Sequence, residues 1–104
     1  MKHILIVQGG GRANGNTARL AESFARGAES AGHSVETVSL IKNEVKGCLG
    51  CNACRYGKPC VQKDSFNQLI PKIQWADCIV LASPLYFWTI SSRLKAFVER
   101  FYCI

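Results

Sequence analysis

Four of the six cysteines in this chain, Cys48, Cys51, Cys54 and Cys60, fall within thirteen residues in the spacing CxxCxxCxxxxxC. Gly47, Gly50, Gly57 and Pro59 lie among them, so this segment can turn tightly enough to gather four thiolates around one centre without help from the rest of the fold. Such a donor set suits an iron-sulfur cluster. Structural zinc sites usually set one CxxC pair against a second ligand pair across a longer span, which thiols at successive three-residue intervals do not do. Zinc, a redox disulfide and a chance cluster are the competing readings. Cys78 and Cys103 stand apart in the sequence, and burial is the expectation for both.

A second segment, Gly9-Gly10-Gly11-Arg12-Ala13-Asn14-Gly15-Asn16-Thr17, leaves an apolar run and enters a helical pattern. Free backbone N–H groups and the helix dipole favour a phosphate there, and glycine lets the backbone approach the anion. Arg12, Asn14, Asn16 and Thr17 would supply the polar contacts. The loop is neither a dinucleotide fingerprint, which needs glycine at Asn14, nor a Walker A loop, which needs lysine at Asn16. The plainer alternative is a turn that only reverses the chain.

The third segment is Ser83-Pro84-Leu85-Tyr86-Phe87-Trp88-Thr89-Ile90-Ser91. Three consecutive aromatic residues exceed what a turn requires, and their faces suit a planar ring system. Capping of the core by these rings is the competing reading. No paired carboxylates, Ser-His-Asp set or Cys-His nucleophile is discernible, so the chemistry would belong to cofactors rather than to side-chain acids and bases. His3 and His33, at a strand start and a helix-to-strand turn, do not read as ligands.

These segments need a scaffold, and the hydrophobic pattern supplies one. Residues 3–8 read as a strand buried on both faces. A helix follows, with Leu20, Phe24, Gly27, Ala28 and Ala31 on one face, Asn16 or Thr17 as its cap and Gly32 as its stop. Val35, Val38 and Leu40 with Thr37 mark a second strand. Residues 42–63 have no apolar period and hold the cysteines, which makes them a long functional loop. Asp64 would cap a helix carrying Phe66, Leu69, Ile70 and Ile73, kinked or interrupted at Pro71. Cys78 to Ala82 reads as a third buried strand, and Leu94, Phe97, Val98 and Phe101 as a third helix capped near Ser91. Alternating strands and helices predict a doubly wound α/β fold with a parallel sheet of order 2-1-3. The switch point then lies between strands one and three, where the glycine-rich and aromatic loops face each other across one crevice.

At 104 residues the chain reads as a single domain, 1–104, with a cysteine-rich insertion at 47–60. Its apolar run at Ile4–Val7 is too short for a signal or a membrane span, so a cytoplasmic protein that does not enter the membrane is expected. A net charge of +6 is scattered rather than gathered in a run, and nucleic-acid binding is not expected.

Ile6 through Thr17, the compact cysteine motif, and Ser83-Pro84-Leu85-Tyr86-Phe87 followed by Leu94-Lys95-Ala96-Phe97 together resemble the flavodoxin-like NADPH-dependent FMN reductase family, especially its iron-sulfur flavoprotein branch. The resemblance runs from end to end of the chain but over only about the first half of the usual family domain. It implies a three-layer α/β/α fold of about three βα units. It implies FMN with its phosphate in the loop of Gly9, Gly10, Gly11, Arg12, Asn14, Asn16 and Thr17, and its ring against Pro84, Leu85, Tyr86, Phe87 and Trp88. It further implies a 4Fe-4S cluster on Cys48, Cys51, Cys54 and Cys60, and a relay of electrons between a donor such as NADPH or an acidic ferredoxin, the cluster and the flavin. A homo-oligomer is expected, because strand three would otherwise be an exposed apolar edge; the alternative is a fragment. Two departures from the family pattern stand out: Gly10 and Gly11 replace the usual serine and proline, and the later βα units are not represented. The rival functional class is a non-catalytic metal-binding or electron-carrier module, iron-sulfur or zinc, lacking a complete flavin site.

Overall fold

A computed structural model describes residues 1–12 and 14–104; Ala13, inside the glycine-rich loop, lies outside the described residues. Strand β1 (His3–Gln8) is followed by helix α1 (Asn16–Ser30), strand β2 (Ser34–Ser39), helix α2 (Phe66–Trp75), strand β3 (Cys78–Ala82) and helix α3 (Ser92–Glu99). A short 3₁₀ turn occupies Arg55–Gly57, and a second, Arg100–Cys103, continues from α3. The sheet is parallel in the order β2-β1-β3, with Ile4 level with Val35 on one side and Cys78 on the other. This is the flavodoxin-like order read from the sequence.

Alternation along β1 divides the molecule into layers. Ile4 and Ile6 face α1, where they pack with Ala21, Ala25 and Ala28 and with Val35 and Val80 of the flanking strands. Leu5 and Val7 face the opposite way into the main core, with Val38, Leu40, Val45, Phe66, Leu69, Leu94 and Phe97. Phe66, Phe97 and Phe101 stack edge-to-face or tilted at 5.3–6.2 Å between ring centroids, fixing α2 against α3. Truncating either fully buried phenylalanine, Phe66 or Phe97, to alanine would cost about 3–5 kcal/mol.

Several local expectations are corrected. Helix α1 packs through alanines, so its buried face is rotated from the one the periodicity marks, and Leu20 and Phe24 are left 74% and 47% exposed. They flank β3, whose Leu81 is 47% exposed and whose Cys78 is also exposed; among the described residues β3 pairs with β1 alone, so it is not buried on both sides but is the open apolar edge expected of a chain with no second copy against it. Gly15, not Asn16 or Thr17, occupies the cap position of α1, with no side-chain bond to the first turn. Helix α2 begins at Phe66 and runs continuously through Pro71 to Trp75. Asp64 still serves its start, because its Oδ1 accepts from Phe66 N at 3.1 Å. Ser91 caps α3 as expected, accepting from Leu94 N at 3.2 Å. Among the described residues no helix is long and apolar enough to cross a membrane.

Candidate functional site

The glycine-rich loop begins where β1 ends, and each of its first residues has a separate task. Gly9 donates to Ala82 O at 2.8 Å and accepts from Ser91 Oγ at 2.7 Å, so it joins β1, β3 and α3. A Cβ on Gly9 would stand 2.8 Å from Ser91 Oγ and 2.9 Å from Leu94 Cβ, a close approach only glycine allows. Gly10 N donates to the Oε1 of Gln8, a buried amide whose Nε2 donates to Arg12 O at 3.3 Å. The loop is thus braced from within by a residue the motif reading missed.

Beyond this brace lies a cleft of about 180 Å³ lined by Gly10, Gly11, Arg12, Gly15, Asn16, Thr17, Pro84 and Tyr86. Gly15 gives α1 no side-chain cap, so the N–H groups of its first turn have no bond from the cap residue's side chain. The structure therefore brings the glycine-rich loop and the start of the aromatic segment together at the β1/β3 switch point, as the strand order requires. Arg93, a residue that does not line the cleft, comes near the loop, its Nη1 lying 3.6 Å from where a Cβ on Gly11 would stand. Asn14 faces elsewhere, lining a neighbouring cavity with Gln8, Arg19, Thr37, Ser39 and Lys42.

The aromatic segment neither caps the core nor lies wholly in the cleft. Tyr86 and Thr89 exchange two backbone hydrogen bonds of 3.0 Å, forming a two-residue hairpin with Phe87 and Trp88 at its tip. Both tip residues have positive φ, 47° and 69°, the region that a type I′ turn demands and that asparagine and glycine normally fill. Phe87 and Trp88 are 99% and 89% exposed, and with Leu85 they form an open apolar patch. Two strained, solvent-facing aromatics are costly to a fold that does not use them.

The cysteine loop is the second feature. All four cysteines line one shallow pocket, with Cys48 and Cys51 exposed and Cys54 and Cys60 half-buried. Positive φ at Gly50, Asn52, Tyr56 and Gly57 winds the chain back on itself there. Gly50 N points at Cys48 Sγ at 3.4 Å. The loop is not self-sufficient, which corrects the expectation from its spacing. Glu99 Oε1 accepts from Cys48 N at 3.2 Å, Tyr102 Oη donates to Asn52 Oδ1 at 2.6 Å, and Arg100 Nη2 approaches Cys60 Sγ at 3.2 Å. Cys103 also lines the pocket, so it does not stand apart; burial pushes its thiol up, and the neighbouring Cys60 adds to that. Among the described residues no three His, Cys, Asp or Glu side chains stand close enough together to hold one metal ion.

Arg100 is 1% exposed and anchors both stems of this loop. Its Nη1 donates to Lys46 O at 2.9 Å and to Asp64 Oδ2 at 2.5 Å, and its Cζ lies 5.0 Å from the centre of the Phe66 ring. Burial alone would raise the Asp64 carboxyl, but hydrogen bonds from Arg100, Lys46 N and Phe66 N hold it below the ordinary value. The pair is therefore ionised and nearly fully bonded, the condition under which a buried ion pair is tolerated. Arg100 Nε is buried without a partner among the described residues.

Comparison with known proteins bears on the fold and the family. An iron-sulfur flavoprotein of Archaeoglobus fulgidus is 30% identical over 100 residues, covering 96% of this chain and 45% of that protein. One from Methanocaldococcus jannaschii is 32% identical over 97 residues, covering 93% and 50%. The NAD(P)H:quinone oxidoreductase from Methanothermobacter marburgensis superposes with a TM-score of 0.80 at 20% identity, over 95% of this chain and 52% of that one. RosB, with its bound intermediate 8-demethyl-8-formylriboflavin-5'-phosphate, superposes with a TM-score of 0.79 at 20% identity, over 100% and 43%. The chain spans about half the length of the curated relatives it matches. The family pattern for NADPH-dependent FMN reductase matches residues 1–103, and the chain belongs to that family.

Proposed function

We propose that the chain belongs to an FMN-dependent oxidoreductase that passes electrons between a donor, an iron-sulfur group on Cys48, Cys51, Cys54 and Cys60, and FMN. The observation that carries the flavin reading is the cleft at the β1/β3 switch point, where the uncapped start of α1, Arg12 and Thr17 meet Pro84 and Tyr86. Its volume is below the ~300–1,000 Å³ of sites that enclose an organic ligand. It suits the phosphate end of FMN, with the ring lying outward over Pro84, Leu85, Tyr86, Phe87 and Trp88. When bound, the flavin supplies hydride and single-electron chemistry. The chain's own contribution is positional: backbone N–H groups and Arg12 hold the anion, and the aromatic hairpin shields one ring face from water.

The cysteine loop suits a thiolate-bound group by its donor set: four thiols on one pocket, with N–H donors aimed at the sulfurs of Cys48 and Cys60. The similarity to iron-sulfur flavoproteins of Archaeoglobus fulgidus and Methanocaldococcus jannaschii supports the same reading. NADPH or an acidic ferredoxin attracted by the net charge of +6 would be the donor. A second copy would cover the open edge of β3.

Titration of the purified chain with FMN, followed by quenching of flavin fluorescence, tests the flavin reading. Saturable binding that Thr17→Ala and Tyr86→Ala each weaken at least tenfold is expected. Absence of binding by the folded chain would refute the site as a flavin pocket.

A further inference from the structure

We propose that Arg100 is the positioning residue of the cysteine site and that its hydrogen bond to Cys60 raises the reduction potential of the group bound there. The inference rests on the iron-sulfur reading above. Its geometry is independent of that reading. The guanidinium holds the entry stem of the loop through Lys46 O and the exit stem through Asp64 and the Cys60 sulfur, at 2.9, 2.5 and 3.2 Å. No other described side chain reaches both stems and a cysteine sulfur.

The same contact has an electronic consequence. A guanidinium does not lose its proton in a protein, so Nη2 presents a permanent N–H donor to Cys60. Asp64 balances the charge from the opposite fork of the guanidinium, at Nη1, which leaves Nη2 directed at the sulfur. One-electron reduction of a thiolate-bound cluster places added negative charge on the sulfurs, with no bond broken and no proton required. A donor at Cys60 stabilises that reduced state more than the oxidised one, and the potential rises. Solvent screens little of this, because Arg100 is buried to 99% of its surface.

The test uses the chain reconstituted anaerobically with ferrous iron and sulfide, as wild type, Arg100→Lys and Arg100→Gln. Iron and sulfide are counted, and the potential is read by a dithionite titration followed by electron paramagnetic resonance, which reports the loaded fraction alone. A shift of loaded Arg100→Gln to lower potential, partly restored in Arg100→Lys, is expected. A merely structural Arg100 would lower loading while leaving the potential of the loaded fraction unchanged, and that result overturns the proposal. Where Arg100→Gln does not fold or load, Arg100→Lys decides: a lowered potential supports the proposal and an unchanged one overturns it. Failure of both variants to load makes the role structural only and also overturns it. A wild-type chain that takes up neither iron nor sulfide ends the iron-sulfur reading itself, before any variant is compared, and the proposal falls with it.

Discussion

Ser91→Ala removes one oxygen that serves two buried groups. Ser91 is 1% exposed; its Oγ donates to Gly9 O at 2.7 Å and accepts from Leu94 N at 3.2 Å. Loss of the helix cap alone costs about 1 kcal/mol. The stranded carbonyl of Gly9, a buried residue, adds about 1–3 kcal/mol for an unsatisfied buried acceptor. Together the loss is about 2–4 kcal/mol, a large part of the ~5–15 kcal/mol that holds a domain folded. In urea, with a slope of about 2 kcal/mol per molar, the unfolding midpoint should fall by roughly 1–2 M. Ser92→Ala, one residue along and exposed, is the control and should stay within about 0.5 kcal/mol of wild type. A Ser91→Ala loss below about 1 kcal/mol, or one equal to that of Ser92→Ala, would refute the claim that this hydroxyl pins the glycine-rich loop to α3. Because the pinned loop forms the cleft, phosphate and FMN affinity should fall along with stability.

Replacing Phe87 and Trp88 with Asn-Gly gives the hairpin tip the residues its positive φ values favour; with each left-handed non-glycine residue costing about 1–2 kcal/mol, the double variant should be more stable by about 1–3 kcal/mol in urea while losing flavin affinity tenfold or more. A variant no more stable than wild type would show that the rings pack on something they do not reach in this structure. Asp64→Ala strands the buried Arg100 charge and should cost about 3–5 kcal/mol, measured by urea unfolding at pH 7. The pH dependence follows from the same carboxylate. Its folded value is depressed, so it contributes stability above the ordinary 3.8, and that contribution drains away as pH falls through the folded value. Wild type should therefore lose stability below about pH 4 more steeply than Asp64→Ala, and parallel acid profiles would contradict the assignment.

The sheet was legible because periodicity reports burial, and β1 is buried on both faces while the strands beside it differ. Residues 78–82 read as a buried strand from their apolar run, yet composition cannot say whether a neighbour exists on the far side, and here Cys78 and Leu81 face solvent. Helix α1 misled for a related reason. Leucine and phenylalanine outweigh alanine in any hydrophobic pattern, but a helix lying close to a sheet packs best through small side chains, and Ala21, Ala25 and Ala28 make the contact. The two loops of the cleft were legible as motifs because turn chemistry and helix-end chemistry are local. The supports of the cysteine loop were not. Asp64, Glu99 and Arg100 meet the loop across 18 to 54 residues of chain, and no spacing rule reaches that far.

Those distant supports all belong to, or are held by, one short helix and its 3₁₀ extension. At its N-terminal end Ser91 grips Gly9 of the cleft, and at its C-terminal end Glu99 and Arg100 grip Cys48 and Cys60. Arg100 stands nine positions after Ser91, a rise of about 13 Å at 1.5 Å per residue. Leu94 and Phe97, both fully buried between these ends, lock the helix into the core. A spacer fixed in this way cannot vary the distance between the two sites without disturbing the core that stabilises the chain. The physical coupling of the glycine-rich cleft to the cysteine pocket is therefore a property of α3, set by the same residues that make the fold stable.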